Sequence, residues 1–340
     1  MRELVVILPD FFSISSDAHG AAASAVALPR LPQLEELLAR ATRTALPDWR
    51  AWLRERVAGA SLSPASTVAA AWGLPTDPAH HYWLATPVHL FAGLDSVRLH
   101  PQGLLRLGGA EQQRLVSDFA TVFADSPWRL FARDQRELLL AGPALLAGGA
   151  DPATLLGADP SAGLPRGADA ATLKRLGSEI ELWLHEHPVN LERQRDGQQP
   201  VTALWLWGNK SAGALPCPPR HRYAHTALPR LAGEDTYAAA LWQQCGASAS
   251  AASAPAGALT ADTALNDARG AVILQWVAEP PGLAAILEQL ERRWCLPVRT
   301  ALATRRLSAL YLLTGTHVHA LSGWALARIW RARRPWWQLL

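Results

Sequence analysis

The stretch from Asp169 to Gly208 constrains the fold most, because it prescribes one buried helix followed by one buried strand. Leu173, Leu176, Ile180, Trp183 and His187 recur at alternating steps of three and four, which draws a single face along a helix. Lys174, Arg175, Glu179, Glu181 and Glu186 fall off that line, and Asp169 is suited to cap the N-terminus. Pro188 has no amide hydrogen and drives His187 out of helical angles, so the helix should stop there. Asn190 is placed to cap a short polar segment that Gly197 ends. Residues 202–207 are apolar on both alternating faces, which predicts a strand covered on each side, as in the middle of an α/β sheet.

Residues 4–8, LVVIL, read as a buried first strand closed by Pro9 and Asp10. In open α/β sheets the C-terminal end of such a strand faces the ligand crevice, which makes Asp10 a candidate. Towards the other end, residues 271–277, 281–294 and 307–314 follow a strand, helix, strand order, and such crossovers normally join parallel neighbours. Between them, helices are expected over 31–45, 48–57, 67–72 and 111–123. Short strands are expected at 82–85, 88–91 and 97–99, separated by Pro87, Gly93 and Asp95, with a further pairing of 128–130 and 137–140. The expected fold class is therefore α/β: a mostly parallel sheet flanked by helices, with an inserted α+β hairpin region. Residues 1–246 form the core in this reading, and 247–261, almost all Ala, Ser, Gly and Pro, form a linker. Residues 262–340 then complete the same sheet and end in a basic, Trp-rich tail.

A chain of 340 residues can bury a core without disulfide or metal staples. Cys217, Cys245 and Cys295 are odd in number and outside CxxC spacing, so no disulfide framework or zinc ribbon is indicated and a reducing cytoplasm is expected. No apolar run approaches the roughly 18 residues of a membrane span, and the N-terminal run is too short for a signal peptide core. A net charge of +3 does not by itself imply nucleic acid, and the fifteen Trp read as core filler.

His89, His185, His187, Asn190 and Trp205 are the candidate binding or structural residues of the central blocks. His185 and His187 close a helix, where the dipole favours them as caps, and two residues apart on a helix they point in different directions. His317 and His319 follow the last strand; in extended backbone they face the same way and could present two imidazoles to one divalent metal, although no carboxylate accompanies them. His221 and His225 have a helical ligand spacing that Pro218 and Pro219 argue against. There is no GxSxG, GxxxxGK[ST] or GxGxxG motif to support serine hydrolase, P-loop or dinucleotide chemistry. Arg328, Arg331, Arg333 and Arg334 stand among Trp324, Trp330, Trp336 and Trp337. That mixture can hold nucleic acid, an anionic surface or a protein partner, or it can dock its Trp side on the core and leave the arginines in water.

The blocks DPAHHYWLATPVHLFAGLDSVRLHP and SEIELWLHEHPVNLERQRDGQQPVTALWLWG, within residues 77–208, resemble the RpfE-type regulatory proteins of proteobacteria, a family also labelled phosphoglycerate mutase-like. That label invites comparison with the cofactor-independent phosphoglycerate mutases, whose fold is the alkaline-phosphatase-like α/β sheet. In them the first strand ends in a metal-binding Asp, and a late strand enters a TADHGN-like loop whose Asp and His bind metal. Asp10 is similar to the first, and residues 311–319, YLLTGTHVH, to the second, with His317 matching the loop His and Gly315 or Thr316 replacing the acid. No NSEVGH-like segment supplies the Ser nucleophile. The resemblance therefore implies a non-catalytic, regulatory or binding protein. The alternatives are a metal-dependent phosphomutase or phosphohydrolase using Asp10, His317 and His319, and a nucleic-acid accessory protein using the arginine tail.

Overall fold

The computed structural model describes residues 2–10, 29–46, 48–57, 62–76, 80–93, 96–133, 135–210, 223, 228–246, 261–267, 269–274, 276 and 283–339. The 247–261 linker (apart from residue 261), His221, His225 and Cys217 lie outside them. Elements run in chain order from β1 (Glu3–Ile7) through α1 (Pro32–Arg40), β2 (Thr42–Ala45), α2 (Trp49–Val57) and α3 (Pro64–Ala71). There follow β3 (His81–Ala92), β4 (Val97–Leu104), α4 (Gly109–Val122), β5 (Arg129–Phe131) and β6 (Leu138–Gly142). Next come α5 (Ala170–His185), α6 (Pro188–Arg195), β7 (Ala203–Trp207), β8 (Arg230–Ala232) and α7 (Thr236–Gln244). The chain closes with α8 (Ala261–Asn266), β9 (Ala271–Leu274), α9 (Leu283–Leu290), α10 (Leu296–Ala303), β10 (Ala309–Leu313) and β11 (His317–Ser322). Among the described residues no helix is long and apolar enough to cross a membrane.

The chain is α/β and clusters into two compact units. The first comprises residues 1–60, 213–234 and 245–340, and the second comprises 61–212 and 235–244. Residues 1–246, read from the sequence as one core, are thus shared between both. In the first unit a six-stranded sheet has the order β2-β11-β10-β1-β9-β8. Strand β1 lies between β10 and β9, parallel to both, and β8 is parallel to β9. Strand β11 turns back against β10 and pairs antiparallel with β2. Leu4, Val6, Ile273, Leu310 and Leu312 point to one face and pack with Leu34, Leu37 and Leu38 of α1, Leu287 of α9 and Leu302 of α10. Each such buried side chain contributes roughly 1.5–3 kcal/mol. On the other face Tyr311 meets the Trp52 ring of α2 at 5.6 Å.

Two charged groups fasten this unit. Glu291, in the π-helical turn Glu291–Cys295, accepts hydrogen bonds from the backbone N–H groups of Gln33 and Leu34 at 2.6 and 2.9 Å, so a carboxylate remote in sequence caps α1. Arg56, fully buried, donates to Glu3 at 2.7 Å and lies 4.4–5.0 Å from the rings of Trp52, Tyr223 and Tyr311. Residues 42–45, expected within a helix, instead form β2. The helix ends at Arg40, Ala41 turns extended, and the β-branched Thr42 and Thr44 lie along the edge of the sheet.

The second unit holds an antiparallel sheet in which β3 pairs with β4, β6 and β7, while β5 pairs with β6. Pro87 does not divide β3, contrary to expectation. Its carbonyl accepts from Leu105, so its missing N–H faces the stretch where pairing with β6 has ended at Ala85 and pairing with β4 starts at Val88. Trp83, Leu140, Leu204 and Leu206 pack with Leu115 and Phe119 of α4 and with Leu173, Leu176, Ile180 and Leu184 of α5. Strand β7 is buried along its whole length, as its composition requires, but in an antiparallel sheet rather than the centre of the parallel one.

Candidate functional site

Parallel pairing of β1 with β10 brings both carboxyl ends to one edge of the sheet, and the Leu8 N–H donates to the Leu313 carbonyl at 2.8 Å. Asp10 follows on one side and Thr314 on the other; both are buried. Between β10 and β11 the chain reverses through Thr314, Gly315 and Thr316. The Thr314 N–H donates to the His317 carbonyl at 3.0 Å, and Gly315 takes a φ of 78°, which glycine adopts without steric cost. The reversal sets the register that pairs Leu312 with His319, and His319 in turn pairs with Arg43 of β2.

His317 and His319 therefore share a face, as alternation predicts, with rings 6.3 Å apart. Their partners are protein groups. Nδ1 of His317 lies 2.9 Å from the Thr316 hydroxyl and 3.3 Å from the Arg43 guanidinium. Nε2 of His319 lies 3.4 Å from the Thr314 hydroxyl, and its Nδ1 is buried without a partner among the described residues. Burial first, then the charge of Arg43 and the neighbouring His317, pushes the His319 pKa down to about 3, so the ring is neutral. His317 shifts the same way for the same two leading reasons, burial and Arg43. Among the described residues no group of three or more His, Cys, Asp or Glu side chains is placed to hold a metal ion, and Asp10, His317 and His319 do not make one. Two imidazoles beside a guanidinium are a poor donor set for the divalent ions that the resemblance implies, which need carboxylates to offset their charge.

The residues of the central blocks have structural duties. His187 caps α6, with Nδ1 accepting from the Val189 N–H at 3.2 Å, so it takes the place expected of Asn190. Its ring packs edge-on to Trp183 at 4.8 Å, and Nε2 comes within 3.2 Å of the Asp118 carboxylate without hydrogen-bond alignment. Burial outweighs Asp118 and lowers the His187 pKa. Asn190 lies inside α6, donating to the Leu184 and Val201 carbonyls at 2.7 and 2.8 Å and accepting from the Val201 N–H at 2.7 Å. Asp169 precedes α5 without capping it, and its carboxylate accepts from the Leu146 N–H instead. Trp205 donates its indole N–H to the Ala150 carbonyl at 2.8 Å. His89 lies 3.0 Å from the Pro200 carbonyl, its ring 5.8 Å from that of His100, and His185 is exposed.

The basic tail is largely fastened to its own unit. Arg328 donates to the Arg40 carbonyl and the Thr42 hydroxyl, and Arg331 donates to the Ala41 carbonyl. Arg333 pairs with the buried Glu36 at 2.6 Å, which Arg40 and Arg299 also approach at 2.8 and 3.1 Å. Trp336 is buried and donates to the Pro29 carbonyl. Arg334 is exposed. No local feature of the sequence marks Glu36, Arg43 or Thr314. Only the alternation of Thr42, Arg43 and Thr44 signals that Arg43 stands on a strand, and nothing local pairs that strand with β11.

The fold and this sheet edge define an α/β protein with a central parallel strand ending in a buried aspartate. No family model matches the chain. Over 65 residues the chain is 38% identical to the 2,3-bisphosphoglycerate-independent phosphoglycerate mutase of Methanothrix thermoacetophila, covering 19% of this chain and 17% of that protein. It is 40% identical over 45 residues to the mutase of the same name from Methanosarcina mazei, covering 13% and 11%. The match thus spans less than a fifth of the length of these curated relatives. Among solved structures, the cofactor-independent phosphoglycerate mutase from Thermoplasma acidophilum aligns over 95% of this chain and 90% of its own, at 14% identity and a TM-score of 0.38. A protein from Pyrococcus horikoshii aligns over 94% and 86%, at 12% identity and a TM-score of 0.42.

Proposed function

We propose that the chain is a binding or regulatory protein related to the cofactor-independent phosphoglycerate mutases, of the RpfE type, that does not turn over phosphoglycerate. The observation that carries this reading is the Arg43 guanidinium 3.3 Å from Nδ1 of His317, on the face that the neutral His319 also occupies. A divalent ion on these imidazoles would meet the exposed Arg43 charge at close range, and among the described residues no third His, Cys, Asp or Glu joins them to hold it. Short matches to phosphoglycerate mutases support the ancestry.

The buried Asp10 beyond the central strand favours a second reading, a working metal-dependent phosphomutase or phosphohydrolase. An assay of 2- and 3-phosphoglycerate interconversion by the purified full chain with added manganese separates the two. The proposal expects no turnover above background. Turnover that Asp10→Asn abolishes would overturn it.

A further inference from the structure

We propose that Arg305, Trp324, Ile329, Trp330 and Arg334, all in the first unit, form a docking face for an anionic lipid bilayer. Trp324, Ile329 and Trp330 are 76%, 77% and 75% exposed. Their neighbours are not loose: Ala325 and Trp336 are buried, Leu326 and Trp337 pack against the core, and Arg328, Arg331 and Arg333 are tied to α1, β2 and the residue between them. The exposed side chains are thus held outward by a fixed segment.

Arg305 adds a second observation. Its φ of 59° makes it the one non-glycine with positive φ among the described residues, at the C-terminal end of α10 where glycine is usual. From there its guanidinium lies over the Trp324 ring, 5.3 Å from the centroid. This arrangement places a cation on an exposed indole, a pairing that suits the headgroup region of a membrane.

Charge complementarity selects the partner. Residues 292–340 hold nine Arg and no Lys, Asp or Glu, whereas residues 1–291 hold 23 Lys and Arg against 29 Asp and Glu. In sequence the excess of arginines falls in the segment that carries the exposed apolar side chains, where Arg299 and Arg333 are paired with Glu36 and Arg305 lies over Trp324, and apolar insertion with electrostatic attraction is how proteins attach to anionic bilayers. Nucleic acid fits less well, because Ile329 offers no ring to stack on a base and one face of Trp324 is already taken by Arg305.

Flotation of the full chain with vesicles tests this. Binding is expected to phosphatidylcholine vesicles that contain phosphatidylserine, to weaken with added salt, and to be absent with phosphatidylcholine alone. Trp324→Ala with Ile329→Ala and Trp330→Ala should weaken binding at least about tenfold, and Arg334→Ala about fivefold, with circular dichroism unchanged. Equal binding by the triple variant, equal binding to neutral vesicles, or binding of single-stranded RNA but not vesicles through these residues would each overturn the proposal.

Discussion

Asn190 and Val201 hold each other in both directions: the Asn190 carboxamide donates to the Val201 carbonyl at 2.8 Å and accepts from the Val201 N–H at 2.7 Å. The same side chain also reaches back to the Leu184 carbonyl in the last turn of α5. One buried amide therefore ties the end of α5 and the start of α6 to the chain just before β7. Replacement by Ala would take the partner from the Val201 N–H and carbonyl and one of the donors from the Leu184 carbonyl, which keeps the His187 N–H at 3.2 Å. We expect Asn190→Ala to destabilise the second unit by roughly 2–4 kcal/mol, and Asn190→Asp to cost at least as much because it adds a buried charge and removes both donors. Urea denaturation measures it, and the exposed His185→Ala, expected within about 0.5 kcal/mol of the parent, is the control.

Glu36 is the counter-ion of Arg40, Arg299 and Arg333. Removing its charge leaves three guanidinium groups crowded around a buried position. Glu36→Gln should cost about 2–4 kcal/mol, below the full figure for a buried pair because Arg299 and Arg333 are partly exposed. Tail release would show as faster tryptic cleavage after Arg331 and Arg333.

Arg56 shows why one cation cannot replace another. Its plane serves three aromatic rings and Glu3 together, whereas a lysine ammonium is a point charge that cannot stack. Arg56→Lys should therefore be destabilising by about 2 kcal/mol or more, and Arg56→Ala by about 3–5 kcal/mol, since it empties a fully buried site between three rings and takes the guanidinium from the mostly buried Glu3 carboxylate. Thermal denaturation in the two variants gives the order.

His319 makes stability depend on pH. Unfolded, it takes up a proton near the ordinary value of about 6.5; folded, only near about 3. Between these values the unfolded chain binds more protons, so stability is complete above about pH 6.5 and falls as pH drops towards 3, by up to about 1.4 kcal/mol per pH unit. His187 and His317, also lowered, act in the same direction. Urea midpoints at pH 7 and pH 5 should differ, and His319→Gln should reduce the difference.

The readable parts of the sequence were those governed by local periodicity. Of the expected stripe, Leu173, Leu176 and Ile180 are buried on one face of α5 and Trp183 packs partly buried beside them, whereas Leu184 completes that face and His187 lies beyond the helix as the cap of the one that Pro188 opens; Thr202 stands before a strand buried on both sides. Partner choice was less readable. The apolar code of β7 fits a parallel or an antiparallel sheet equally well, and Pro87 forbids a strand only if its missing donor falls opposite a paired neighbour. At the sheet edge, alternation placed His317 and His319 on one face, but Arg43 joins them across 274 residues of sequence through pairing that no local signal records.

The claim that this edge does not hold catalytic metal is tested most directly by titrating manganese into the purified full chain and counting bound ions by mass spectrometry under native conditions. No stoichiometric uptake is expected, and the same result after His317→Ala with His319→Ala. One or two ions per chain, lost in that double variant and in Asp10→Asn, would contradict it.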